Sequence, residues 1–278
     1  MSGFLAQACA QARERTARAH EALALGELCD RARRCPRPPS FAAALRGPDV
    51  AVIAEVKRAS PSRGHLAIIP DAGALARACA DGGAAAISVL TEPAHFAGSM
   101  DDLVDVAAAT PLPALRKDFV IDAYQVWEAR AAGAAAVLLI VAALEQDDLV
   151  ALLRTTSEAE LGALVETHET HEVARAIGAF EAAGARGQPV IGINARDLTT
   201  LDVDPHRFAA LRGAVPETAI AVAESGVREP ADVRRLAVAG ADAVLVGEAV
   251  GSSSDPAAAV RRLVIAGRRR DDDQERTA

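Results

Sequence analysis

Two lysines are the residues of this chain whose type and spacing most directly indicate acid–base chemistry. Of the 30 Lys and Arg residues, only Lys57 and Lys117 are lysine. Each follows a short apolar run and has an acidic residue close by, Glu55 before Lys57 and Asp118 after Lys117. Arginine stays protonated at any working pH, whereas a lysine amine can be tuned to exchange a proton. The composition therefore predicts that both positions need an amine, the alternative being two surface lysines retained by chance.

The elements that must position these lysines form a regular series. Apolar runs of strand length alternate with amphipathic stretches of helical length, such as 71–81, 122–132 and 229–239. The apolar runs are residues 51–56, 84–90, 112–115, 134–141, 162–166, 189–193, 219–223 and 242–246. They are continuously apolar rather than alternating, which is typical of parallel strands covered on both faces. The pattern predicts an α/β fold, a (β/α)8 TIM barrel, with an open doubly wound sheet as the alternative.

Two segments fall outside the repeat, and together they predict the domain organisation. Residues 1–46 are predicted as an N-terminal helical extension packed on the barrel, and residues 47–267 as the barrel itself. Residues 268–278 segregate their charges and are predicted as a frayed tail. The stretch 178–188 contains three glycines without clear periodicity, so we predict an exposed loop there.

Composition limits the partners and the cell compartment. A net charge of −8 and a pI near 5.3 argue against a nucleic-acid partner, which favours a basic surface. The four cysteines lack CxxC spacing and fit reduced thiols, and neither a signal peptide nor a membrane span of about 20 apolar residues is evident. These features predict a cytoplasmic protein. His168 and His171 are three residues apart, but we interpret them as the start of a helix and predict no metal site.

Polar residues recur where the predicted strands end. In a barrel of this kind the chemistry collects at the carboxyl ends of the strands, so these side chains should form one rim. A rim that mixes amines and carboxylates suits an anionic ligand that must exchange protons. The candidates are Glu55, Lys57, Lys117, Glu166, Asn194, Arg196 and Glu224.

The loops after the last two strands have the composition of a phosphate cradle. Barrels often bind phosphate there, and small residues leave backbone N–H groups free to face an anion. Ser225, Gly226 and Gly247 lie in these two loops, and Ser62 in the first loop is predicted to complete the cradle. The alternative is that both glycines serve only tight turns.

Six segments resemble the indole-3-glycerol phosphate synthase family, over about residues 40 to 265 and in the expected order. They are 53–62 (IAEVKRASPS), 88–92 (SVLTE), 115–119 (LRKDF), 164–166 (LVE), 192–197 (GINARD) and 223–226 (AESG). The resemblance implies a tryptophan-pathway enzyme acting on 1-(2-carboxyphenylamino)-1-deoxyribulose 5-phosphate. Such an enzyme closes the pyrrole ring with loss of CO2 and water, without cofactor or metal. Besides this small phosphorylated substrate, we predict transient contact with other tryptophan-pathway enzymes.

The same resemblance implies a role for each candidate. Lys117 would be the general acid, and Glu166 its acid–base partner that stabilises a cationic intermediate. Glu55 and Lys57 would act in the dehydration and hold the anilinic carboxylate. The substrate would be oriented by Asn194 and Glu224 with help from Arg196, and its phosphate would be bound by Ser62, Ser225, Gly226 and Gly247.

A lysine that protonates a ketone should have its pKa brought towards the working pH. We expect other cations and apolar walls in the rim to lower it in that way. Two other functions remain open on the residues alone. One is a sugar-phosphate isomerase or an aldolase-type barrel, in which Lys117 or Lys57 would form a Schiff base. The other is a non-catalytic barrel that binds a phosphorylated metabolite or a partner.

Overall fold

Eight parallel strands form a closed barrel in the computed structural model, which describes residues 3–61, 64–66, 68–185 and 187–269. Ser62 and residues 270–278 of the predicted tail lie outside the described residues. The barrel strands are β1 (Ala51–Val56), β4 (Ala86–Leu90), β5 (Ala114–Lys117), β6 (Ala136–Ile140), β7 (Gly162–Thr167), β8 (Val190–Asn194), β9 (Ile220–Glu224) and β10 (Ala243–Val246). The short strands β2 (Ala59–Ser60) and β3 (Gly64–His65) pair separately. Because β1 pairs with both β4 and β10, the barrel prediction is confirmed and the open sheet is wrong.

Helices surround the barrel, the first three preceding its first strand and the others following its strands. They are α1 (Gly3–Ala22), α2 (Leu25–Arg34), α3 (Phe41–Ala44), α4 (Ala72–Asp81), α5 (Pro93–Phe96), α6 (Met100–Ala109), α7 (Ala123–Ala131), α8 (Gln146–Glu158), α9 (Thr170–Ala183), α10 (Arg207–Arg212), α11 (Pro230–Val238), α12 (Glu248–Gly251) and α13 (Pro256–Ala266). A 3-10 turn, Val141–Ala143, follows β6. One apolar cluster lies between the strands and these helices, and a second fills the barrel interior.

The third barrel strand begins two residues later than its apolar run predicts. β5 spans Ala114–Lys117, so Lys117 is the last residue of the strand rather than a residue that follows it. Side chains alternate across a strand. Arg116 therefore faces α7, where it donates to the Gln125 carbonyl and to Glu128, while Lys117 faces the barrel interior.

Helices α1 and α2 precede the barrel, as the predicted N-terminal helical extension requires. Leu5 and Cys9 of α1 join the apolar cluster of the barrel interior. The Tyr124 hydroxyl of α7 donates to the Ala19 carbonyl at 2.9 Å, which fixes the far end of α1. The proposed division of the chain at residues 46 and 267 stays a prediction.

The loop predicted for residues 178–188 is wrong over its first half. Helix α9 continues to Ala183, so residues 178–183 are helical. Gly178 weakens a helix only modestly, and the neighbouring Ala176 and Ala179 are fully buried and hold that face to the barrel. Gly184 ends the helix with a φ of 59°, a left-handed conformation that glycine adopts without strain.

The last helix closes the outer ring against the first barrel helix at Gly82. A Cβ there would lie 2.6 Å from the Ala257 carbonyl oxygen and 2.7 Å from the Val260 Cβ. We predict that Gly82→Ala lowers the free energy of unfolding by about 1–3 kcal/mol, because the contact is with backbone that cannot move aside. Urea or thermal unfolding measures this change.

Gly178→Ala is the matched control for that substitution. No atom lies within 4 Å of a Cβ built at this helical glycine. Alanine should therefore stabilise the protein by about 0.5–1 kcal/mol. Equal effects of the two substitutions would contradict the close α4–α13 contact.

Candidate active site

A cleft opens at the carboxyl ends of the strands and is lined by the candidates from six separate strands or strand ends. It brings together Glu55, Lys57, Lys117, Glu166, Asn194, Arg196, Glu224, Ser225, Gly226 and Gly247. Ser62 alone among the predicted site residues lies outside the described residues. Parallel strands place their carboxyl ends on one rim. This explains why residues as far apart in the sequence as Glu55 and Gly247 line the same cleft.

Lys117 lies between two carboxylates at the centre of the cleft. Its Nζ is 2.7 Å from Oε2 of Glu224 and 3.3 Å from Oε2 of Glu166. Burial alone would lower the pKa of Lys117, but Glu224, Glu166 and the more distant Glu55 outweigh it and raise that pKa above its usual range. The expected lowering by other cations is therefore wrong, because the nearest charges to this amine are negative.

The two carboxylates next to Lys117 differ in ionisation. Burial opposes the charge of Glu166, but Lys117, His168 and Asn194 outweigh it and hold the pKa of Glu166 well below its usual range. Burial, aided by the negative charge of Glu166, raises the pKa of Glu224 to about 7, although Lys117 opposes this. The two pKa shifts have opposite directions, so we assign the proton that this pair of carboxyl groups retains to Glu224 rather than to Glu166.

Glu55 and Lys57 form a second ion pair in the same cleft. The Lys57 Nζ is 2.6 Å from Oε1 of Glu55, and the Glu55 side chain is buried whereas Lys57 is partly exposed. A Cβ at Gly247 would lie 2.5 Å from Oε1 of Glu55 and 2.9 Å from Nζ of Lys57. Gly247 therefore provides room for this pair, a reason that its sequence context does not reveal.

Gly192 provides room for Glu224 in a similar way. It lies in β8, next to Glu166 on β7, and a Cβ there would collide with Oε1 of Glu224. That oxygen is buried and has no hydrogen-bond partner among the residues that the structure describes. The close fit against backbone is consistent with a neutral carboxyl, since a charged oxygen in this position would lack solvation.

The loop after β9 has an unusual backbone conformation. Ser225 and Gly226 are both left-handed, with φ values of 66° and 81°. For Ser225 this conformation is strained, and such strain is concentrated at functional sites. The loop after β10 places Gly247 at the start of the short helix α12. Arg228, which sequence reasoning missed, lines the same side of the cleft.

A buried network behind the cleft connects α1 to β5. Asp118 accepts hydrogen bonds from Arg15 of α1 at 2.8 Å and from the Thr91 hydroxyl at 2.8 Å, and it pairs with Arg116 at 3.3 Å. Because Asp118 follows Lys117 directly, these contacts fix the end of the strand that carries the amine.

Sequence reasoning also missed one residue that lines the cleft and one that lies beside it. Phe4 of α1 lines it, edge-on to Phe119 with ring centroids 6.0 Å apart, and the apolar face of the N-terminal helix was the only signal. His168 lies against Glu166, with Nε2 3.4 Å from Oε1. The sequence predicts His168 only as part of a helix start, and nothing in its spacing indicates the contact with Glu166.

The described residues contain neither a candidate metal site nor a membrane-spanning helix. Within residues 3–61, 64–66, 68–185 and 187–269, no group of three or more His, Cys, Asp and Glu side chains could hold a metal ion. In the same ranges, no helix has the length and apolar character that crossing a membrane demands.

Comparison with known proteins identifies the family. A family model described as indole-3-glycerol phosphate synthase matches residues 5–263. The chain belongs to the indole-3-glycerol phosphate synthase family. An indole-3-glycerol phosphate synthase of Mycolicibacterium vanbaalenii is 54% identical over 235 residues, covering 84% of each chain. The enzyme of the same name from Mycobacteroides abscessus is 55% identical over 225 residues, covering 81% of this chain and 80% of the relative.

Solved structures with low sequence identity share the fold of this indole-3-glycerol phosphate synthase family member. A 3-hexulose-6-phosphate synthase from Salmonella typhimurium aligns with a TM-score of 0.61 and 17% identity, covering 78% of this chain and 98% of that chain. A thiamine phosphate pyrophosphorylase from Pyrococcus furiosus aligns with a TM-score of 0.57 and 18% identity, covering 80% of this chain and 96% of that chain. At this identity the likeness shows the barrel alone.

We predict that Gly192→Ala reduces kcat at least about tenfold with little change in Tm. The added methyl group displaces the end of the flexible Glu224 side chain, and about 1.4 kcal/mol of lost transition-state stabilisation corresponds to a factor of ten. Gly213→Ala is the control, because a Cβ there meets nothing within 4 Å. An unchanged kcat in Gly192→Ala would show that turnover does not depend on the position of the Glu224 carboxyl group.

Proposed function

We propose that this cleft closes the pyrrole ring of 1-(2-carboxyphenylamino)-1-deoxyribulose 5-phosphate, with Lys117 as the general acid. Membership of the family gives the chain indole-3-glycerol phosphate synthase activity, that of a carboxy-lyase of tryptophan biosynthesis. The observation that carries the assignment of residues is the buried Lys117 amine between Glu166 and Glu224.

The reaction needs protons to be supplied and removed in turn. A bond forms between the ketone carbon and the ring carbon that bears the carboxylate, and the ketone oxygen takes a proton. The carboxylate leaves as CO2, and its bonding electrons restore the aromatic ring. The new hydroxyl then leaves as water after a second protonation, and loss of a proton completes the pyrrole. General acids and bases at two points of the cleft are therefore required.

Lys117 supports the first step because its amine is fully protonated in the resting site. The raised pKa makes it a weak acid, so its proton must be replaced quickly after transfer. Glu224 is 2.7 Å away with a pKa of about 7, and its carboxyl proton can pass to the neutral amine. Glu166 stays ionised and is placed to stabilise the cation that follows ring closure.

Glu55 and Lys57 support the second step and the binding of the anilinic carboxylate. They form a separate acid–base pair at 2.6 Å, on the opposite flank of the barrel from Glu166. Lys57 is partly exposed, so its ammonium group can contact a carboxylate that enters the cleft. Loss of CO2 frees that ammonium group, which can then protonate the leaving hydroxyl.

The remaining candidates bind and orient the substrate. Asn194 is buried beside Glu166 and Glu224, and Arg196 lines the cleft two residues later. Ser225, Gly226 and Gly247 provide the backbone for the phosphate, together with Ser62. A cytoplasmic location and transient contact with other tryptophan-pathway enzymes stay predictions.

We predict that Lys117→Met lowers kcat by about 100- to 10,000-fold, the usual contribution of a positioned general acid. A fluorescence assay for the indole product measures turnover of the carboxyphenylamino-deoxyribulose phosphate. Lys117→Arg should also be inactive, because guanidinium keeps its proton even though the charge is retained. Circular dichroism and Tm of both variants control for folding.

Wild-type protein that is folded but turns over no substrate would contradict the synthase function. Borohydride treatment in the presence of substrate tests the aldolase alternative, since only a Schiff base on Lys117 or Lys57 would be trapped. We expect no covalent adduct by mass spectrometry.

A further inference from the structure

His168 occupies a buried position beside the proposed active site, between two carboxylates. It lies two residues after Glu166 and two residues before α9, and its side chain is 9% exposed. Nε2 is 3.4 Å from Oε1 of Glu166, and Nδ1 is 3.4 Å from Oε2 of Glu172. Neither ring nitrogen makes a hydrogen bond to a described residue, so each contact is an ion pair between the imidazolium and a carboxylate.

Glu172 is itself held by the backbone. Its Oε2 accepts a hydrogen bond of 2.6 Å from the His168 N–H, and the side chain is buried in the first turn of α9. An acidic residue is favoured there because the N-terminus of a helix carries partial positive charge. The Glu172 carboxylate therefore has a fixed position from which to hold one side of the imidazole.

The two oxygens of Glu166 face different partners as a result. Oε1 faces His168, and Oε2 faces the Nζ of Lys117 at 3.3 Å. A carboxylate with a free torsion could present either oxygen to the amine. The imidazole on one side and the ammonium group on the other leave Glu166 a single orientation.

We propose that His168 and Glu172 are positioning residues, which hold the Glu166 carboxylate ionised and oriented towards Lys117. The proposal rests on the proposed function of Glu166 and Lys117. His168 and Glu172 themselves need no contact with substrate. They act through Glu166, in the way that a hydrogen-bonded outer residue fixes a functional side chain.

The charges around the imidazole favour its protonated form. Burial would lower the pKa of His168, but its contacts with Glu166 and Glu172 outweigh burial and raise that pKa to about 9. Asp197, from the loop after β8, lies within electrostatic reach and is paired with Arg207 of α10 at 3.7 Å. The nearest cation on the far side of Glu166 is Lys117 of β5. His168 is therefore the second positive charge that opposes protonation of Glu166.

The direct test compares His168→Gln with His171→Gln. His171 is the control because it is exposed, lies three residues later in the first turn of α9, and forms its ion pair with the exposed Glu169 at 3.2 Å. We expect His168→Gln to lower kcat about 10- to 100-fold with KM little changed, as for other outer partners of functional groups. The acid limb of its kcat–pH profile should move to higher pH, because the pKa of Glu166 rises when the imidazolium is removed. His171→Gln should leave kcat and the acid limb of the pH profile unchanged.

Glu172→Gln separates the charge of Glu172 from its structural role. Glutamine can still accept from the His168 N–H, so the helix start is retained. We expect Glu172→Gln to lower kcat and to move the acid limb of the kcat–pH profile to higher pH, as in His168→Gln. The control Glu169→Gln should have the kcat and the pH profile of the wild type. This second pair of variants keeps the proposal testable if His168→Gln does not fold.

The imidazole itself gives a readout that does not depend on turnover. Nitrogen-15 NMR of the histidine ring should show His168 still protonated at pH 8 in the wild type and titrating at lower pH in Glu172→Gln. Wild-type turnover with unchanged kcat and pH profile in folded His168→Gln would overturn the proposal. A His168 ring that is neutral at pH 8 would also overturn it. Absence of wild-type turnover would instead contradict the proposed function.

Discussion

The contact on which the site depends is the ammonium group of Lys117 against the carboxylates of Glu166 and Glu224. All three side chains are largely removed from water, and burying such charges is costly unless they neutralise one another. An ammonium group and two carboxyl groups that carry one proton between them have a net charge near zero. The closed barrel makes this arrangement possible, because it brings β5, β7 and β9 together around a common interior.

Much of the surrounding structure serves these charges rather than the stability of the barrel. Gly192 and Gly247 leave space for Glu224 and for the Glu55–Lys57 pair at points where an alanine would fit the backbone. Asn194 approaches Glu166 from the end of β8, and His168 approaches it from the position directly after β7, the strand of Glu166 itself. Buried charge sets are destabilising when any one member is missing, so each neighbouring residue is constrained by the whole set.

The barrel could be predicted from the sequence because its determinants are local. Continuous apolar runs and the strand-end polar residues fix the fold and the composition of the cleft, and Glu55, Lys117 and Glu224 meet there as expected. The errors concern properties that depend on distant neighbours. The direction of the Lys117 pKa shift depends on carboxylates 49 and 107 residues away. The helical state of residues 178–183 depends on burial against the barrel. The three glycines spread over residues 178–188 conceal this in the sequence.

The pairing of β1 with β10 also has a consequence for synthesis of the chain. The first barrel strand emerges from the ribosome early, but one of its two hydrogen-bonded edges stays open until residues 243–246 are made. Arg15 of α1 likewise has no Asp118 to bind until 103 further residues have been synthesised, and only then can it hold the end of β5. Contacts at such separations form slowly and leave strand edges exposed meanwhile. The growing chain therefore carries an incomplete barrel, with an unfilled cleft wall, for most of the time that it takes to be translated.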